Sequence, residues 1–111
     1  MAAAGRPVNV PPIEVIIRLN ALLIEHFGGE IVGPDNFLNR GSLEWALEVI
    51  QSEVFGHDPY PSIAHKAAVL AWTIITGHVF FDGNKRSGVA AAYLFIRANG
   101  HDVQVSDDET V

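Results

Sequence analysis

Between residues 62 and 99 the chain holds two helical runs that are apolar on almost every side, interrupted at residues 78 to 83 by a segment crowded with polar chemistry. From Ser62 the first run passes through Ala64, Ala67, Ala68, Val69, Leu70, Ala71, Trp72, Ile74 and Ile75. The second, from about Asn84 to Asn99, is apolar from Val89 to Ile96, and Asn99-Gly100 closes it. A helix with almost no polar face has to be buried on most sides. These two runs therefore predict a central, buried helix hairpin.

The rest of the chain reads as cover for that hairpin. Ile13, Ile16, Ile17, Leu23, Ile24 and Phe27 share one face at 3.6 residues per turn, after an extended lead-in over 1–12 set by Pro7, Pro11 and Pro12. Gly28-Gly29 ends this first helix. Ser42 reads as the N-cap of a second helix carrying Leu43, Ala46, Leu47, Ile50 and Val54, with Glu44 in its first turn, and Gly56 to Pro61 breaks it. Between the two, Glu30 to Gly41 is rich in turn formers around Gly33-Pro34-Asp35-Asn36, which predicts a loop or small hairpin. His101 to Val105 alternates like a short strand. The fold expected is mainly α, one domain over 13–105, with Trp45, Trp72, Phe80 and Phe81 in its core.

Ser106-Asp107-Asp108-Glu109 has the spacing of a capping box, yet only Thr110 and Val111 follow. The segment 106–111 is either a polar end whose pattern is chance or the start of a missing helix. On the second reading, apolar surface on the first and fourth helices is left for a partner to cover, either another protein or another copy of the chain in a homo-oligomer.

Composition bounds the function. With 111 residues, 49% of them hydrophobic and 18% charged, the chain suits one compact core. Its 7 Lys+Arg against 13 Asp+Glu give a net charge of -6, which argues against nucleic acid and against anionic membrane as partners. Lack of cysteine excludes disulfide scaffolds and thiolate chemistry. The longest strongly apolar run, Ala67 to Gly77, is too short for a bilayer, and the first dozen residues do not resemble a signal peptide, so a cytoplasmic location is expected.

The chemistry lies in His78-Val79-Phe80-Phe81-Asp82-Gly83-Asn84-Lys85-Arg86. Lys85 and Arg86 are two of seven basic residues in an acidic chain and fall in the first turn of a helix, where cations oppose the macrodipole. Charges placed so suggest that an anion belongs there. A phosphate would meet helix N–H groups, the Asn84 amide and the two cations, with Gly83 allowing close approach. Asp82 offers an oxygen ligand for Mg²⁺ shared with the phosphates, and His78 a proton acceptor near neutral pH. Each residue alone has a plainer role in capping, turning or packing; their occurrence together points to phosphoryl or nucleotidyl transfer. His26, His57, His65 and His101 lack the spacing of a metal site.

His78 to Arg86 resembles the signature of the Fic/Doc superfamily: a His, a Phe two residues on, an acidic residue two further, then a small residue, Asn, Gly or Lys, and Arg before a helix. The resemblance extends through the Gly28-Gly29 loop, Leu43-Glu44-Trp45-Ala46-Leu47, Tyr60-Pro61-Ser62, Lys66-Ala67-Ala68 and Leu94 to Gly100, about 90 residues in all. Adenylyl-transferring Fic enzymes usually carry Gly at the place of Lys85 and a second Arg at the place of Val89, so the chain is similar to the death-on-curing (Doc) branch. Gly83 departs from the usual Ala of that branch. No Ser/Thr-x-x-x-Glu-Gly/Asn inhibitory segment occurs.

The resemblance implies a compact Fic/Doc-like helical domain with a short flap hairpin, and a toxin of a toxin–antitoxin pair. It further implies a kinase that uses Mg-ATP to phosphorylate elongation factor Tu and block translation, restrained by a cognate antitoxin. Within it His78 is the expected base, Asp82 the metal ligand, and Gly83, Asn84, Lys85 and Arg86 the nucleotide-phosphate site. The loop from Ile31 to Asn39, with Ile31, Val32 and Gly33, corresponds to the flap that docks the target protein. A Fic-type adenylyl (AMP) transferase and a non-catalytic, antitoxin-binding fragment are the alternatives.

Overall fold

The computed structural model describes residues 8–51, 58 and 60–100. Among them are four helices: α1 (Ile13–Phe27), α2 (Arg40–Val49), α3 (Ile63–Thr76) and α4 (Asn84–Ala98). The mainly α fold and the central hairpin are as the periodicity predicts. α3 and α4 make the most extensive pairing, and α1 packs on α4 while α2 packs on α3. Gly88 sets the closeness of the hairpin, because a Cβ there would lie 2.7 Å from Cγ1 of Ile75 and 3.0 Å from the Ala71 carbonyl oxygen. Ile16, Leu43, Leu70, Ile74, Phe80 and Phe95 are fully buried at the centre.

The helix boundaries have local causes. Pro12 is the N-cap of α1, and at its far end the Gly28 N–H donates to the Ile24 carbonyl at 2.7 Å. Ser62 caps α3, its Oγ accepting the His65 N–H at 3.0 Å. One turn on, the buried Lys66 reaches back, donating to Asp58 at 2.5 Å and to the Tyr60 carbonyl. Asn9 and Asn99 clasp the lead-in to the end of α4: the Asn9 N–H donates to Asn99 Oδ1 at 2.9 Å, and Asn99 Nδ2 donates to the Asn9 carbonyl at 2.8 Å.

Several expectations fail, most of them for reasons of helical phase. α2 begins at Arg40, not after Ser42, because Asn39 takes the N-cap position and Arg40 pairs with Glu44 one turn on at 2.9 Å. Neither tryptophan is in the core. Trp45 is 52% and Trp72 68% exposed, since Leu43, Ala46 and Leu47 occupy the inner stripe of α2 and Ala67, Leu70, Thr73 and Ile74 that of α3. Phe80 is buried, but Phe81 is half-exposed. α4 is likewise not buried all round: small residues, Ser87, Gly88 and Ala91, face inward with Phe95, and Val89 is left 64% exposed. The expectations for Val54, the break at 56–61 (in part), the strand at 101–105, the end at 106–111 and the first part of the lead-in lie outside the described residues.

Candidate active site

The polar segment between α3 and α4 is a tight link with two buried anchors. Val79 and Phe80 are fully buried and fix it to the core, while His78, Phe81 and Asp82 are exposed on either side. Residues 30–39 run alongside, with a turn at 33–35. Leu38 and Asn39 donate their N–H groups to the Val79 carbonyl at 2.8 and 3.0 Å, and the Phe81 N–H donates to the Asn36 carbonyl at 2.9 Å. Phe37 forms an antiparallel bridge with Phe80, and their rings stack at 5.2 Å. The loop is thus zipped along its main chain to the His78–Arg86 segment and does not pair with itself as a hairpin.

His78 takes a left-handed backbone, φ 47°, directly after α3. That conformation is strained for a residue with a Cβ. It persists because Asn39 Nδ2 donates to the carbonyls of both Gly77 and His78, at 2.9 and 3.1 Å. Strain held by surrounding structure is common where a side chain must be presented in one direction.

Asp82 is held by main-chain donors. Its Oδ1 accepts the Gly83 N–H and its Oδ2 the Glu30 N–H, both at 2.9 Å. Each carboxylate oxygen keeps a further lone pair. Gly29 (φ +134°) makes room for this, since a Cβ there would stand 2.9 Å from Asp82 Oδ2. Gly83, at φ +79°, is the N-cap of α4. The first N–H groups of that helix lack acceptors within it, so they face outward beside Lys85 and Arg86. Neither cation has a carboxylate partner among the described residues. The Arg86 guanidinium carbon lies over the Phe27 ring, 4.0 Å from its centroid.

The amide of Asn84 faces inward. Its Oδ1 accepts the Phe80 N–H at 2.9 Å and its Nδ2 donates to the Phe80 carbonyl at 2.7 Å, so the side chain staples the loop. The side-chain amide expected to meet a phosphate is therefore committed to the loop, and only the main-chain N–H of Asn84 is left for that role. Ile31, Val32 and Gly33 stand exposed at the flap's edge, Val32 with its N–H bonded to Asn36 Oδ1 at 2.8 Å. From the cations a groove of about 650 Å³ runs between α1 and α4, walled by Leu19, Leu23, Phe27, Val89 and Tyr93.

The residues present fit a shared magnesium ion. Among the described residues no group of three or more His, Asp or Glu could cage a metal. A lone exposed carboxylate is nonetheless the donor set that Mg²⁺ takes when phosphate oxygens complete its shell.

Sequence reasoning missed Asn20, Asn36 and Ser87. All three are buried, and they link α1, the flap and α4 beneath the loop. A signal for Asn20 exists: it stands midway between Ile16 and Ile24 at four-residue steps, a polar residue in the buried stripe of α1.

Comparison with known proteins agrees with this geometry. The model of the Fic/DOC family matches residues 11–96. The chain belongs to the Fic/DOC family. It is 40% identical over 82 residues to Toxin Doc of Mycolicibacterium smegmatis, a match covering 74% of this chain and 58% of that protein's length. No solved structure matches it significantly. No helix among the described residues is long and apolar enough to cross a membrane.

Proposed function

We propose that the chain is a Doc-type toxin: a cytoplasmic protein kinase that passes the γ-phosphoryl group of ATP to a hydroxyl of elongation factor Tu and so stops translation. One observation carries the reading. Two cations without carboxylate partners share the first turn of α4 with outward N–H groups, and the same short link presents His78 on a strained backbone and Asp82 on fixed donors. Such a constellation suits phosphoryl transfer, where positioning and charge neutralisation do most of the work.

In the proposed reaction a nitrogen of the His78 ring accepts the proton of the target hydroxyl. The hydroxyl oxygen bonds to the γ-phosphorus as the bond from that phosphorus to the bridging oxygen breaks, and ADP leaves. Lys85, Arg86 and the N–H groups of Gly83-flanked α4 hold the phosphates. Magnesium, held by Asp82 together with phosphate oxygens, would supply further neutralisation of charge. The edge at Ile31, Val32 and Gly33 receives the target's main chain, as strand-like docking does elsewhere. A cognate antitoxin covers the groove between α1 and α4 and restrains the toxin.

Incubating the chain with elongation factor Tu and ATP labelled at the α or the γ phosphate tests this. Transfer of the γ label is expected. Transfer of the α label would replace the reading with adenylyl transfer, and no transfer of either with the antitoxin still bound would leave a non-catalytic fragment.

A further inference from the structure

Asn20 is fully buried, and its side-chain amide makes three hydrogen bonds that span three segments. Nδ2 donates to the Asp82 carbonyl and to Ser87 Oγ, both at 2.9 Å, and Oδ1 accepts from Asn36 Nδ2 at 2.9 Å. Asn36, 2% exposed and left-handed at φ 59°, continues the chain of bonds. Its Oδ1 accepts the Val32 N–H, and its carbonyl accepts the Phe81 N–H.

Core packing does not ask for this arrangement. An apolar residue at position 20 would extend the Ile16–Ile24 stripe, whereas a buried amide loses hydration and recovers it only if every bond is made. A planar amide does supply what an apolar side chain lacks, donors and an acceptor in fixed directions. Here those directions fix the main chain of Asp82 on one side and that of the flap on the other.

We infer that Asn20 and Asn36 are positioning residues that lock the target-docking flap and the Asp82 turn into one unit, so that the edge receiving the target protein and the phosphate site are set together. The inference rests on the kinase reading for its enzymatic consequence and on geometry alone for its mechanical one. The hydrogen bonds of Asn20 go to Asp82, Ser87 and Asn36, and reach Val32 and Phe81 only through Asn36. If the pair works as a unit, loss of the Asn20 amide loosens both.

Amide hydrogen exchange on the full chain tests the mechanical part without any activity. In Asn20→Ala, exchange at Val32 and Phe81 should quicken by about tenfold or more while amides within α3 keep wild-type rates. Should Asn20→Ala not fold, Asn36→Gly serves, because glycine accepts the positive φ and keeps the carbonyl that Phe81 uses; Phe81 exchange should still quicken. Unchanged exchange at Val32 and Phe81 in folded Asn20→Ala, or at Phe81 in Asn36→Gly, overturns the inference. With γ-phosphoryl transfer as the assay, Asn36→Gly should raise KM for the target protein by about tenfold and weaken ATP binding in the same direction. A change confined to one of the two constants also overturns it. Failure of the wild-type chain to transfer phosphate would count against the kinase reading and leave the exchange result standing.

Discussion

The Asp82 carboxylate is positioned by the main chain of Glu30, whose N–H it accepts at 2.9 Å. The contact exists only because residue 29 has no side chain. In Gly29→Ala the new Cβ would lie 2.9 Å from Oδ2 at a φ of +134°, so a stability loss of about 1–3 kcal/mol is expected from the strained backbone alone. Phosphoryl transfer should fall by about tenfold or more as the carboxylate is displaced. Denaturant melts and the labelled-ATP assay measure the two effects, and wild-type values in both would contradict the placement of Asp82.

His78 separates activity from stability. Removing a general base should lower the rate by about 10² to 10⁴, so His78→Ala and His78→Gly are both expected to be nearly inactive. They should differ in melting. Glycine relieves the left-handed backbone at φ 47°, and His78→Gly should be more stable than His78→Ala by up to about 1 kcal/mol. Full activity in either variant would remove His78 from the reaction.

Asn84 is expected to act on the loop's stability as well as on transfer. Its amide bonds both the N–H and the carbonyl of Phe80, and at about 1 kcal/mol for each hydrogen bond, Asn84→Ala should lose about 2 kcal/mol. A chemical denaturation curve unchanged by the substitution would refute the staple.

Lys66 is 2% exposed and its partner Asp58 one-third exposed. Removing the anion leaves a buried ammonium, so Asp58→Ala should destabilise by about 3–5 kcal/mol, whereas Lys66→Met, which removes the buried charge itself, should destabilise less. Thermal or urea melts of the two variants rank them, and the reverse order would show that the pair is not read correctly.

Much of the fold is legible in the sequence because burial on α3 and α4 leaves a continuous apolar record, and Ser62 and Gly28 mark helix ends by their own chemistry. The candidate catalytic segment is legible because Lys85 and Arg86 stand where folding disfavours cations. What periodicity does not carry is phase within an all-apolar helix. Nothing in the run Ala67 to Ile75 says whether Thr73 or Trp72 turns inward, and the structure buries the threonine. Composition is equally silent on the Asn84 amide, since an asparagine at a helix start serves a phosphate or a backbone alike. Asn20 and Asn36 lie outside the motif and reach it only through the folded chain.

The hydrogen bonds between Asn9 and Asn99 give the domain a seam. Asn9 and Asn99 meet at the C-terminal end of α4, about 20 Å of helix away from Lys85 and Arg86. Two asparagines ninety residues apart in the chain thus close a loop whose candidate catalytic edge lies on the far side, so a group attached at the clasp would stand a helix's length from that edge.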